Sequence, residues 1–523
     1  MAKFINSRES ISSSLMLWND RPTQVSIEET YDLKVWPITS ILNEGPISFN
    51  IPPQAKGLMS DIHIITKLKI QKDGADIEGR ERDLSVINNF ANSIWGQVDI
   101  QVDDRVDITQ SMKNAYAFQT YFNHAINSES TREDYLLYNE LFKMDSGRTK
   151  PLEENSREFW VWDQSNDFMI RTLMGDITDD EKDDKLDTIK EYIWKNNKSM
   201  PSVAVSGIAT NLGLDDDQKS KHYGILLKII EDGWQPSRVN PAASERSKHI
   251  NRGQSTTLVS KLQCPLFTTS KCLPNNMKIR LSLTKNEDQF VILAKEGSNY
   301  SILIEDCYLE VTYYKPREAI LELMEERIQR EPAPYFISKP EIIVKPLTNA
   351  SQIIRVTDVF HDTLPAYAFF GLQKSSDFEG RFTGNPFAFI QFKKFQFYLN
   401  GYPYFKDPLE VSNVTALSGG GYEYEEYGDY LRQLYKTAGK DLKGDCLINS
   451  ENFNINFIVG MSFGADRSSL SENHLNLQEK ASTYLEIDMG INTDIPQDMV
   501  LIIYAVFDRQ ITIDGNRKVK IIE

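Results

Sequence analysis

WGQVDIQVDDRVDITQSMKNAYAFQTYFNHAI occupies residues 95–126, and FQFYLNGYPYFKD occupies 395–407. The first opens with strict alternation, Val98, Ile100 and Val102 falling on one side of an extended chain, together with Ile94 just upstream. A polar bend at Asp103-Asp104 follows, then a helical stripe of Phe118, Tyr121, Phe122, Ala125 and Ile126 at i, i+3, i+4, i+7 and i+8. The second turns at Asn400-Gly401, a strong hairpin signal because both residues tolerate positive φ. Downstream, Tyr427, Tyr430, Leu431, Leu434 and Tyr435 repeat the five offsets of the first helix. Each stripe is expected to lie over one edge of a sheet. A long apolar strand then closes each half, DCYLEVTYYKP at 306–316 and LIIYAVFDRQITI at 501–513. Strand, hairpin, Tyr-rich helix and closing strand occur twice, so the chain reads as two copies of one β-sandwich plan.

The rest of the sequence agrees. Ile62, Ile64, Thr66, Leu68 and Ile70 alternate within 59–72, and further strand signals lie at 277–284, 341–347, 388–399 and 453–463. PREAILELMEERIQREPAP, 316–334, is a charged segment bracketed by proline with room for three helical turns, and it is read as the linker between the copies. From about 150 to 240 the first copy carries an acidic insertion, including GDITDDEKDDKLD at 175–187 and GLDDDQKSKH at 213–222, with an amphipathic helix at 223–231. Such a charged excursion is expected to stay out of a core and project as a loop or tower.

Composition bounds the function. The net charge of −17 opposes nucleic-acid coating, which depends on clustered Lys and Arg. No apolar run reaches the ~18 residues of a membrane span. The first thirty residues lack the apolar core of a secretory signal, so synthesis in the cytosol is expected. Cys264, Cys272, Cys307 and Cys446 have neither zinc-knuckle nor redox spacing and read as reduced, mostly buried thiols.

No motif carries chemistry. Counted from Asp176 as an EF-hand, the sixth position is Glu181, where the turn needs Gly, and the twelfth is Asp187, where the metal needs Glu. Gly419-Gly420-Gly421 leads into Tyr422, Glu423 and Tyr424, without the Gly-Lys-Ser/Thr of a phosphate cradle. His63, His124, His222, His249, His361 and His474 form no close ligand pair, and no GxSxG marks a serine nucleophile. Carboxylate pairs such as Asp103/Asp104 and Glu425/Glu426 are expected by chance among 75 acidic residues. Most of the aromatics are expected on core faces, without interleaved Arg and Lys. No catalytic residue, cofactor-binding residue or metal ligand is assigned, and no enzymatic activity is expected.

Four blocks in order carry a family resemblance: 86–147, ending in Leu141, Phe142, Lys143, Asp145 and Gly147; 249–293; NPFAFIQFKKFQFYLNGYPY at 385–404; and YAVFDRQITIDGNRKVK at 504–520. Together they resemble the major capsid proteins of Polinton (Maverick) elements and adintovirus-like viruses. The acidic insertion and the first 44 residues have no counterpart in that pattern.

The resemblance implies an all-β fold of two tandem jelly rolls with short helices. It divides the chain into an N-terminal arm and entry strand (1–44), a first jelly roll with the acidic insertion (45–316), a linker (317–334) and a second jelly roll (335–523). It further implies a homotrimer forming pseudo-hexagonal capsomers of an icosahedral virion shell. Its partners would be neighbouring capsomers and minor capsid, penton or cement proteins, with no sequence-specific nucleic-acid binding. The arm, with Lys3, Phe4 and Arg8, would lie on the inner face. The residues alone also admit a β-sandwich carbohydrate-binding or carbohydrate-active protein.

Overall fold

The computed structural model describes residues 23–522 apart from 42–44, 79–80, 104–105, 108, 111, 146–159, 163–164, 175–178, 197–200, 233, 237–239, 268, 349–351, 362, 412–413, 417–421, 425–426, 442–443, 465–478 and 491–497. Eight strands build the first sandwich: β1 Ile27–Val35, β2 Ile47–Ile51, β3 Leu58–Lys72, β4 Trp95–Val102, β5 Val106–Asp107, β6 Thr256–Lys261, β7 Ile279–Lys285 and β8 Tyr300–Pro316. Eight more build the second: β9 Ala333–Thr348, β10 Ile353–Thr357, β11 Tyr367–Lys374, β12 Lys394–Leu399, β13 Tyr402–Pro403, β14 Ile458–Ser462, β15 Thr483–Asp488 and β16 Asp498–Ile513.

The first eight pair as β1-β8-β3-β6 and β2-β7-β4-β5; the second eight pair as β9-β16-β11-β14 and β10-β15-β12-β13. Adding eight to each strand number converts one pattern into the other. All of these pairings are antiparallel. This order is that of a jelly roll, in which closing strands return beside opening ones, so the chain is a double jelly roll.

Local chemistry explains the elements. On β3 the alternating Ile62, Ile64, Thr66, Leu68 and Ile70 are all buried. On β4 Val98, Ile100 and Val102 are buried while Gln97, Asp99 and Gln101 are only partly so. Asn400 and Gly401 adopt φ of 50° and 82°, closing a two-residue hairpin in which Leu399 pairs with Tyr402. Primed turns of this kind match the twist of the flanking strands.

The helices among the described residues are more numerous than the sequence pattern predicts. The principal ones are α1 Ala115–Asn127, α2 Glu133–Glu140, α3 Ser165–Leu173, α4 Asp179–Asn196, α5 Pro201–Leu212, α6 Asp216–Lys221, α7 Tyr223–Asp232, α8 Pro241–Ile250, α9 Glu318–Arg330 and α10 Gly428–Thr437. Helices α3 to α7 correct the expectation of an acidic loop across 150–240. Within the charged run, Leu186, Ile189 and Ile193 recur at helical spacing and are buried. Val205 and Ile208 of α5 and Leu226 and Ile229 of α7 are buried too, and α5 packs against both α4 and α7. Charge density concealed a one-sided apolar stripe, which is enough to build a small helical layer. A short ribbon, Trp160–Trp162 against Trp234–Pro236, brings the ends of this segment together.

The insertion and α9 occupy opposite ends of the first sandwich. Along β3 the register runs from Leu58 beside Tyr314 to Lys72 beside Tyr300. Helix α9 follows Pro316 at the Leu58 end, where Lys56 meets Glu318 at 3.1 Å. The insertion docks beyond the Lys72 end: Trp234 carries the Arg82 guanidinium on its ring at 4.3 Å, and Glu191 pairs with the same group.

Candidate assembly site

Helix α1 belongs to the first half by sequence, yet its apolar stripe covers the second half. Phe118, Tyr121 and Phe122 are fully buried. The Tyr121 ring stacks on Phe387 at 4.2 Å and 5°, and Phe122 stacks on Tyr504 of β16 at 5.3 Å and 10°. Phe118 meets Phe387 edge-on at 5.4 Å. Such pairs are worth about 0.5–1.5 kcal/mol each beyond the area they bury. The consequence shows in β16, where every residue from Met499 to Phe507 is buried. A strand buried without alternation has both faces covered, here by its partner sheet and by α1. Helix α10, the counterpart of α1, packs within its own sandwich against β14 and hydrogen-bonds from Tyr430 Oη to the Leu409 carbonyl at 2.9 Å.

Polar groups complete the seam around Asp145, the tail residue of the first resembling block. Its Oδ1 accepts from Arg246 Nη2 at 2.7 Å and from Asn240 Nδ2 at 3.0 Å. Its Oδ2 accepts from Asn385 Nδ2 at 2.9 Å, and its carbonyl accepts from Asn456 Nδ2 at 3.0 Å; both donors come from the second half. Asn456 Oδ1 in turn accepts from the Tyr121 hydroxyl at 2.7 Å. The side chains of Arg246 and Asp145 are 0% and 1% exposed. Arg246 also donates to the carbonyls of Val86 and Lys143. A buried ion pair offsets its desolvation only when further hydrogen bonds satisfy it, as here. Burial, and secondarily the Asp145 charge, push the Tyr121 phenol well above its ordinary range, so it remains a neutral donor.

The side groups weighed from sequence do not converge. Asp103 sits in the β4–β5 turn at φ 55°. Asp104, Asp176, Gly419 to Gly421, Glu425, Glu426, His474 and the arm residues Lys3, Phe4 and Arg8 lie outside the described residues. His124 is buried on α1 with Nε2 2.9 Å from a Glu140 carboxylate oxygen that also accepts from Asn92, a structural cluster below the seam. Cys264, Cys307 and Cys446 are buried free thiols, and burial pushes Cys264 and Cys307 up to about 12. Among the described residues, no three His, Cys, Asp or Glu side chains gather to hold a metal ion, and no helix is long and apolar enough to cross a membrane. Sequence reading missed Gln110, Arg246, Asn385 and Asn456. Their long-range partners lie 101 to 335 positions away, so no local signal marks those contacts.

This geometry is that of a double jelly-roll protein whose sandwiches are fused through a buried seam. Solved structures share the fold over all or nearly all of the chain. A chain of the Sputnik virophage, from its 3.5 Å cryo-EM structure, aligns with 100% of this chain and 94% of its own length at a TM-score of 0.51 and 12% identity. The Faustovirus major capsid protein aligns over 95% of this chain and 92% of its own at a TM-score of 0.52 and 7% identity. No protein-family model and no curated protein sequence matches. The carbohydrate-active alternative finds no support among these matches.

Proposed function

We propose that the chain is a major capsid protein whose homotrimers form pseudo-hexagonal capsomers of an icosahedral virion shell. The observation that carries this reading is the repeated strand order in two sandwiches locked by one seam. Two similar but non-identical modules per subunit let a threefold trimer present a near-sixfold outline, and a rigid seam keeps that outline constant. The two full-length fold matches include a protein that bears this role in its name. In this reading residues 1–44 are the arm and the entry strand β1, which joins the sheet of the first jelly roll of 45–316; 317–334 are the linker, whose last two residues already open β9, and 335–523 are the second jelly roll. The contacts are neighbouring capsomers and minor capsid, penton or cement proteins; the subunit works in the virion after synthesis in the host cytosol, and it performs no catalysis. The helical insertion, at the end opposite α9, forms the exterior tower.

Light scattering of the purified chain tests it first. One subunit is 60.0 kDa, so a stable species of three times that mass, hexagonal in negative stain, is expected. A strictly monomeric species at all concentrations overturns it. Limited proteolysis of assembled particles tests the tower: cuts within 150–240 are expected, and protection there while other loops are cut counts against it.

A further inference from the structure

A cavity of about 410 Å³ opens at the α9 end of the molecule. Its walls are Leu58 at the start of β3, Cys272, Tyr335 at the start of β9, and Leu321, Met324 and Ile328 along α9. Those three helix residues stand at i, i+3 and i+7, an apolar stripe that normally faces a core. Here only Ile328 of the helix is buried, and Met324 is 44% exposed. The stripe is only half covered by the described residues.

The sequence holds a candidate of matching chemistry. The longest apolar run of the arm is Leu15-Met16-Leu17-Trp18, which sits between three serines and Asn19-Asp20. Four consecutive apolar residues are unfavourable in water unless they are covered. The arm also arrives at the right place. Ser26 accepts a hydrogen bond from the backbone N–H of Arg317, the residue preceding α9, and Ile27 pairs with Pro316. The chain upstream of β1 therefore starts from the N-terminal end of the helix that walls the cavity. From Ser26 back to Trp18 an extended chain reaches about 26–29 Å. From Arg317 to Ile328 the helix rises only about 16 Å. The cavity also lies within the range of about 300–1,000 Å³ typical of sites that bury apolar ligands.

We propose that Leu15, Met16, Leu17 and Trp18 fill this cavity on their own chain, clasping the arm against α9. The assignment stands apart from the capsid reading: it concerns one subunit and holds or fails whatever the chain assembles into.

Cys272 is the reporter, because it lines the cavity and is only partly buried while the other three thiols are buried. In the full-length protein, maleimide labelling of Cys272 is compared with that of the triple variant Leu15→Ser, Leu17→Ser, Trp18→Ser. Unmasking the cavity is expected to speed labelling by about tenfold or more, since reactivity follows access. An unchanged rate, with the other thiols still protected, overturns the proposal. A second measurement covers a variant that folds badly: Trp18→Cys under mild oxidation. An intrachain disulfide from position 18 to Cys272 is expected. An interchain bond gives the cavity to a neighbouring copy's arm and overturns the own-chain assignment; no bond, with Cys272 freely labelled, overturns it altogether.

Discussion

The side-chain amide of Gln110 makes both hydrogen bonds that a neighbouring strand would make to Ile342. Its Oε1 accepts from the Ile342 N–H and its Nε2 donates to the Ile342 carbonyl, each at 2.8 Å. Ile342 lies midway along β9, an edge strand of its sheet. One residue of the first sandwich thus caps the open edge of the second, where an exposed strand invites pairing with another chain. Gln110→Ala leaves both backbone groups without this partner. A loss of about 1–3 kcal/mol is expected, read as a lower denaturation midpoint. An unchanged midpoint would mean that water replaces the amide without cost.

Asp145 predicts a larger effect. Asp145→Ala strands the Arg246 guanidinium, 0% exposed, without its counter-charge. Breaking a buried pair on one side costs about 3–5 kcal/mol. Adding Arg246→Met removes the stranded charge, so the double variant is expected to recover part of that loss. If the double variant is less stable than the single one by the full cost of a second lesion, the pair is not the source of the effect.

Phe387→Ala empties the space beside Tyr121. A loss of about 3–5 kcal/mol is expected for truncating a buried Phe. Because Phe387 faces α1, the lesion also loosens one sandwich from the other, and faster hydrogen exchange in both α1 and β16 is the expected signature. Exchange confined to the second sandwich would count against the seam.

Alkali attacks the fold in a defined window. Burial pushes the Tyr335 and Tyr435 phenols to about 12 from the ordinary 10.0, and the Cys264 and Cys307 thiols to about 12 from 9.0. A group that holds its proton more tightly when folded contributes stability in full below its unfolded value and loses it as pH rises through the folded one. Stability is therefore expected to be level up to about pH 9 and to fall between there and about pH 12. Tyrosinate absorbance should rise together with the loss of sheet circular dichroism. Full tyrosine titration near pH 10 with the sheet intact would contradict the burial assigned here.

The insertion is expected to be separable. Its ends meet in the 160–162 and 234–236 ribbon, so replacing 163–233 by a tight turn closes the chain without stretching it. The shortened protein should keep its sheet content and its oligomeric mass. Loss of folding would show that α3 to α7 supply core to the first sandwich rather than standing on it.

Much of the fold was legible because its signals are periodic. The alternation of β3 and β4, the Asn400-Gly401 turn and the twin helical stripes each sit within a dozen residues, and each appears where its pattern places it. The helix at 179–196 was hidden because Asp and Lys outnumber Leu186, Ile189 and Ile193 in the window. The seam was hidden for another reason. Phe118, Tyr121 and Phe122 announce an apolar face, but nothing local says that Phe387 and Tyr504 will cover it rather than the strands next door.

That arrangement also sets an order in time. When Phe122 joins the chain, Tyr504 is 382 residues from synthesis, and at about 5–20 residues per second it arrives some 20–80 seconds later. During that interval β6 to β8 complete the first sandwich and Phe387 arrives to cover Phe118 and Tyr121, while Phe122 waits for Tyr504 to the end. The nascent first half is therefore a natural client for chaperones, and β16, near the end of translation, is the strand that makes the protein safe to release.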